Sequence, residues 1–356
     1  MFRFQLIQLT IISSIIVILG SSISIKQWYE YTGLNISSYN DKNISLSKLI
    51  KLIPSSISNS IAINIGARDG IDHDPVYELY HQYGYTGILF EGDPKMLPIL
   101  RNNMMKVNNT GKIYIIEEFA RVHKMASILK YFNIPKVFDV LKVDIDSYDY
   151  AILNSILNHG YLPRIVLVEM NVDIPPPIQW YLDEKETSKY EQKYGWFGSY
   201  GGSPDAFFDL MNRYDYRLID MSIYDEYVDP ECARCEHNLW FIRNDISQSS
   251  VPAMKWIDMN ALYWYRQDAM YGKKLPICLH MKHCPVQHMK TLFGKPMHGF
   301  DASIALLEKK NNETARQFLQ DITKHMYHIC GKNCHFYGGI NQLVLDRTIY
   351  NITSIN

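Results

Sequence analysis

From residue 61 onward, short apolar runs alternate with stretches whose apolar residues recur every three or four positions. "IAINI" (61–65) is a brief apolar run stopped by Gly66, the signature of a buried strand. "DPVYELYHQYG" (74–84) sets Val76, Leu79, Tyr80 and Tyr83 at helical spacing, with Pro75 near its start and Gly84 behind it. The same alternation then repeats along the chain. "TGILFEGD", "KIYIIEE", "VFDVLKVDID" and "RIVLVEMN" read as four further strands. "PKMLPILRNNMM" (despite Pro98), "VHKMASILKYF" and "YDYAILNSILNHG" read as the helices between them. Strand–helix alternation requires right-handed crossovers, so it predicts an α/β fold: a doubly wound, mostly parallel sheet with helices on both faces. Ligands of such sheets bind beyond the carboxyl ends of the strands, near the reversal in strand order.

Those strand ends are polar in a way that packing does not require. The first ends at Gly66, the second at Glu91 and Asp93, and the third at Glu117 and Glu118. The fourth ends at Asp144 and Asp146, the fifth at Glu169 and Asn171. One acid at a strand end is ordinary solvated loop, but four successive strands delivering carboxylates to one edge predict a site. The loop after the first strand brackets Ala-Arg-Asp between Gly66 and Gly70, and Glu91 follows Gly70 by 21 positions. A bare loop followed by an acid about 20 residues on suits a nucleoside, the backbone meeting the ligand and the carboxylate its ribose hydroxyls. The dinucleotide fingerprint fails, because Arg68 and Ile71 stand where it needs glycine. The remaining G-x-x-x-G lacks the packing glycine, yet leaves room for the methionine end of S-adenosylmethionine against the loop.

Four stretches, in order between residues 61 and 243, carry a wider likeness: "INIGARDGI…YELYHQYGYTGILFEGDP", "FDVLKVDIDSYDYAILNSI", "YLPRIVLVEMN" and "YGGSPDAFFDLMNRYDYRLID". Together they resemble the FkbM-type methyltransferases, a family within the class I S-adenosylmethionine-dependent enzymes. The resemblance implies a Rossmann-like methyltransferase fold with S-adenosylmethionine as cofactor. It implies that Gly66, Ala67 and Gly70 form the loop beneath the cofactor, with Asn64 where the family usually has aspartate and Arg68 where Asn or Gly is common. An amide at 64 offers the donor's ammonium less than a full charge. Glu91 would take the ribose hydroxyls with Asp93 nearby, and Glu117 or, preferably, Glu118 the adenine amine. Asp144 and Asp146 would face donor and acceptor as candidate general bases, with Glu169 and Asn171 orienting the acceptor. A divalent ion on Asp144, Glu169 or Asn171 is the alternative to the metal-free site expected here. Asp149 reads as a charge favoured at a helix N-terminus.

Composition narrows the partners. Lys plus Arg number 36 against 37 Asp plus Glu, without a long single-sign run, which excludes the basic face of a nucleic-acid protein. Residues 4–25, "FQLIQLTIISSIIVILGSSISI", carry no charge between Arg3 and Lys26 and are long enough to span a bilayer. They predict a signal anchor with a lumenal catalytic domain, or a signal peptide cleaved near the small residues Gly20 to Ser24. Residues 26–60 follow as a polar stem with an apolar patch, "LIKLI", before Pro54; the domain then runs over 61–245 and an extension over 246–356. Asn35, Asn43, Asn108, Asn312 and Asn351 are glycosylation acceptors by pattern. Cys232, Cys235, Cys278, Cys284, Cys330 and Cys334 make an even set, which in an oxidising lumen predicts disulfides stapling the extension. Zinc on "CARCEH" and "CLHMKHCPVQH" is the lesser alternative, and the histidines are then expected at the surface.

The expected activity is O-methylation of a hydroxyl on a glycan, lipid or small molecule in the secretory pathway, with the membrane engaged through the N-terminal helix. Two other functions compete. "VDID" satisfies the Asp-x-Asp pattern of lumenal glycosyltransferases, and Asn64 and Arg68 would suit a non-catalytic binding protein on the same scaffold. "WIDMNALYWYRQ" (256–267) reads as a helix packed on the domain. Tyr194, Trp196, Phe197 and Tyr200 could wall an acceptor pocket or form a buried cluster.

Overall fold

A computed structural model describes residues 46–246 except 73, 108–110, 172–175, 177–178, 183–200 and 222–236, together with residues 259 and 263. The N-terminal apolar segment, the glycosylation acceptors, the six cysteines and the aromatic residues 194–200 lie outside the described residues. Among the described residues, no helix is long and apolar enough to cross a membrane.

All five expected strands form: β1 (Ile61–Ile65), β2 (Thr86–Phe90), β3 (Ile113–Ile116), β4 (Val140–Val143) and β5 (Ile165–Glu169). Two more follow, β6 (Tyr216–Met221) and β7 (Asn238–Arg243). The described helices are α1 (Leu46–Leu49), α2 (Tyr77–Gln82), α3 (Leu97–Met105), α4 (Val122–Tyr131), α5 (Asp149–Asn158) and α6 (Pro204–Arg213). Pro98 sits in the first turn of α3, where the missing N–H would have had no helical partner in any case. Ser203 caps α6, its hydroxyl accepting the Ala206 N–H at 3.2 Å.

The seven strands form one sheet in the order β3-β2-β1-β4-β5-β7-β6. β1 to β5 are mutually parallel, and β7 runs antiparallel to both β5 and β6. Because strand side chains alternate between faces, each strand feeds two cores. Ile63, Ile65, Ile88, Phe90, Leu141 and Val143 pack with α4, α5 and α6 on one face. Ala62, Leu89, Val140 and Leu167 pack with α1, α2 and α3 on the other. Burying such a side chain contributes about 1.5–3 kcal/mol, so this two-sided core is the main source of stability.

Residues on either side of 61–245 also pack on the sheet. Leu46, Leu49, Ile50 and Ile53, within the segment expected as a stem, are buried in the second core. The "LIKLI" patch is apolar because it covers the sheet. At the other end Met259 and Tyr263, one helical turn apart, are fully buried in the first core, as a packed helix requires. Opposite the carboxyl edge, buried Asp139 accepts from Arg164 at 2.7 Å, from the Ser58 hydroxyl at 2.5 Å and from the Ser60 N–H at 2.9 Å. That network ties the lead-in of β1 to the starts of β4 and β5, at the amino-terminal edge of the sheet.

Candidate active site

Strand order reverses between β1 and β4, and a cavity of about 720 Å³ opens at the carboxyl ends of the strands there. Its walls include Gly66, Ala67, Arg68, Glu91, Asp93, Glu118, Asp144, Asp146 and Glu169, so most of the expected site residues converge. Glu117 does not join them. It turns to Arg101, whose Nε donates to its carboxylate at 2.8 Å. Glu118 faces the cavity and pairs with Lys124 at 2.5 Å.

The two loop glycines do different work. Gly66 has φ +88°, and a Cβ there would lie 1.6 Å from the carbonyl oxygen of Asp144. It lets the end of β1 touch the end of β4. Gly70, with φ +75°, would place a Cβ 2.6 Å from Leu100 Cδ1 and 2.7 Å from Met104 Cε. It therefore faces α3 rather than the cavity, and it is the packing glycine that the sequence pattern lacked. Between them Arg68 adopts φ +50°, and its N–H donates to Glu91 Oε2 at 2.7 Å. The Asp93 N–H donates to Glu91 Oε1 at 2.6 Å. Two backbone donors thus orient the Glu91 carboxylate, which can accept about four hydrogen bonds and keeps capacity for a ligand.

Beyond β3, the Phe119 ring lies over Gly92, where any Cβ would fall 2.3 Å from it, and stays 55% exposed at the cavity rim. Tyr148 donates to the Ala120 carbonyl at 2.6 Å and accepts from Arg121 at 3.3 Å, closing the same wall.

The acidic end is organised by β4. Lys142 is buried within the strand and its Nζ lies 2.9 Å from Asp144 Oδ2. A buried lysine in "VLKVD" was the signal to look for a partner, since a lone charge is costly inside a sheet. Asp146 stands in the left-handed region at φ +53°. Desolvation at the acidic end and then the charge of Asp144 raise its carboxyl to about 6; because the residue itself is exposed to the cavity, solvent screens the first of these effects. Carboxylate oxygens of Asp144, Asp146 and Glu169 lie within 4.8 Å of one another, a hard-oxygen group that could hold a divalent cation. Asn171 stands apart from the cavity wall. It is fully buried, and its N–H donates to the Gly202 carbonyl at 2.8 Å. Asp149 begins α5 as expected, but its work lies in the loop before it. Oδ1 accepts from the Ile145 N–H at 2.8 Å and Oδ2 from the Ser147 N–H at 3.1 Å. Burial, then Asp144's charge, raises its carboxyl above the ordinary range.

Asn64 does not line the cavity either; it is fully buried, and its Nδ2 donates to Asp74 Oδ2 at 2.6 Å. Asp74 does line it, a residue the sequence pattern treated only as the approach to a helix. His237 also departs from expectation. Its carbonyl accepts the Met170 N–H at 2.7 Å beside the end of β5, and its Nδ1 is buried with no hydrogen-bond partner among the described residues. Burial holds the imidazole down to about 4, with Asp144's charge pulling the other way, so it is neutral near pH 7.

No protein-family model matches this chain, and no curated protein matches it. Among solved structures it is similar to a magnesium protoporphyrin IX methyltransferase from Synechocystis with bound SAH (11% identity, 55% of this chain and 80% of that one, TM-score 0.32). It is similar to an S-adenosylmethionine-dependent methyltransferase from Mesorhizobium loti (13% identity, 57% and 99%, TM-score 0.32). A third is M. capricolum TrmK in complex with S-adenosyl-homocysteine (13% identity, 71% and 96%, TM-score 0.31). At these scores the likenesses are distant, and what the site can do follows from its own residues.

Chemically the cavity has two ends. Around Glu91, Glu118 and Phe119 it offers hydrogen-bond acceptors beside an aromatic face, the complement of a nucleoside's hydroxyls, amine and base. Around Asp144, Asp146 and Glu169 it offers crowded carboxylates with one buried ammonium, which can hold and deprotonate a polar acceptor.

Proposed function

We propose that this chain is an S-adenosylmethionine-dependent methyltransferase that O-methylates a hydroxyl group. The observation that carries this reading is Glu91, oriented by the Arg68 and Asp93 N–H groups at 2.7 and 2.6 Å and facing a cavity that begins at the β1 loop. A cavity of about 720 Å³ is of the size that encloses small ligands. Glu91 would hold the ribose hydroxyls, Glu118 the adenine amine and Phe119 the face of the base. When bound, S-adenosylmethionine would supply a methyl group on a sulfonium, open to in-line attack at carbon by an acceptor oxygen as the carbon–sulfur bond breaks and S-adenosylhomocysteine leaves.

The chain's residues position the partners and handle one proton. Asp144 is engaged by the Lys142 ammonium, so it serves as a fixed electrostatic group. Asp146, with a carboxyl near 6, takes the proton of the acceptor hydroxyl as the new oxygen–carbon bond forms. Glu169 orients that hydroxyl from β5. The acceptor is a glycan, lipid or small molecule of the secretory pathway, an address supported by the uncharged segment at residues 4–25. One observation favours a second reading: the Asp144, Asp146 and Glu169 group would also suit a metal-held sugar nucleotide.

Calorimetry on the full-length chain separates the two. S-adenosylhomocysteine should bind without added metal, and Glu91→Ala should weaken it about 10- to 100-fold by removing charge-assisted hydrogen bonds. Binding of a sugar nucleotide with manganese, and not of S-adenosylhomocysteine, would replace the first reading with the second.

A further inference from the structure

We propose that Asp74 is the residue that binds the ammonium of the donor's amino-acid end, taking over the charge that Asn64 lacks. The inference rests on the methyltransferase reading above. Asp74 is 4% exposed and lines the cavity beside Gly66, Ala67 and Asp144, at the floor of the β1 loop. Its two oxygens are held separately, Oδ1 by the Val76 N–H at 2.9 Å and Oδ2 by Asn64 Nδ2 at 2.6 Å. Burial pushes its carboxyl up, while the charge of Lys142 and these two hydrogen bonds pull it back toward the ionised form. A ligand ammonium would add to that pull. Lys142, engaged by Asp144, lines the same end. This floor therefore presents both signs of charge, as the zwitterionic end of an amino acid requires and a plain amine does not.

Asn64 fits this arrangement only as an amide. A second carboxylate within 2.6 Å of Asp74 could not ionise alongside it, because like charges at that distance force one to keep its proton. The amide instead donates to Asp74 and leaves it the single full charge of the pair. Asn64 is thus a positioning residue. Its Oδ1 is buried with no partner among the described residues, so its visible work is the bond to Asp74. A purely structural Asp74 would only secure the turn into α2 through Val76, a job that asparagine also performs.

The test compares two ligands on the purified full-length chain by calorimetry: S-adenosylhomocysteine and 5′-methylthioadenosine, which lacks the amino-acid end. The wild type should prefer S-adenosylhomocysteine. Asp74→Asn should narrow that preference about 10- to 100-fold, through S-adenosylhomocysteine alone, with the thermal midpoint little changed. The relocated pair Asn64→Asp with Asp74→Asn should restore much of it. An unchanged preference in Asp74→Asn would overturn the proposal while leaving the methyltransferase reading intact. A wild type that binds neither ligand would overturn both. If Asp74→Asn does not fold, deaminated S-adenosylhomocysteine on the wild type reads the same contact: about 10- to 100-fold weaker affinity is expected, and equal affinity would overturn the assignment.

Discussion

Asp144 and Asp146 stand two positions apart and are held differently by their neighbours. Asp144 has the Lys142 ammonium at 2.9 Å; Asp146 has crowding and the charge of Asp144, which raise it to about 6. A base should be able to lose and regain its proton near the working pH, so Asp146 is the better suited of the two. Its left-handed backbone, tolerated by aspartate better than by most residues, sets it in the cavity wall. Asp146→Asn should leave S-adenosylhomocysteine affinity unchanged and lower transfer of labelled methyl to a glycan or lipid acceptor pool about 10²- to 10⁴-fold. The wild-type rate should fall as pH drops through about 6, where Asp146 gains its proton, and the variant should lack that limb. Initial rates across that pH range check both statements.

At the level of elements, the contact between the ends of β1 and β4 decides how much the loop tolerates. Gly66→Ala would drive a methyl group into the Asp144 carbonyl, backbone against backbone, in a left-handed conformation. Gly70→Ala meets only the tips of Leu100 and Met104, which can rotate away. Urea unfolding should show Gly70→Ala weakened by about 1–2 kcal/mol, the scale of left-handed strain, and Gly66→Ala by clearly more or not folded at all. Elements were legible in the sequence where they obey a period. The five parallel strands are apolar runs closed by polar residues, and those closures placed Glu91, Glu118, Asp144, Asp146 and Glu169 on one edge. What escaped lacks a period. Asn64 and Asp74 meet across the loop after β1, ten positions apart, and His237 is brought beside Met170 by the pairing of β7 with β5, which no local pattern encodes. β6 hides for a related reason: Arg217 and Asp220 interrupt its apolar run, yet both are buried.

For the whole molecule, the buried acid Asp149 makes stability depend on pH. Its carboxyl is raised above the ordinary 3.8 to about 7 in the fold, so the native state holds that proton more tightly than the unfolded chain. Its contribution is complete below the ordinary value and is lost as pH rises through the folded one. His237 acts in the opposite sense, since its lowered value of about 4 adds stability as pH rises toward 6.5. The comparison that isolates Asp149 is therefore the urea midpoint of the wild type relative to Asp149→Asn, which should decline steadily as pH rises from about 4 to about 7. The order of the sheet has a consequence of another kind. β7 is the last of the described strands but lies between β5 and β6, so the described partner of β5 on that side is absent until residue 238 has been made. Synthesis proceeds at about 5–20 residues per second, and about 70 residues separate Glu169 from Asn238, so that edge is bare on the ribosome for several seconds. During that interval the nascent chain presents an open, largely apolar strand edge, which a holding chaperone would cover until β7 pairs with it.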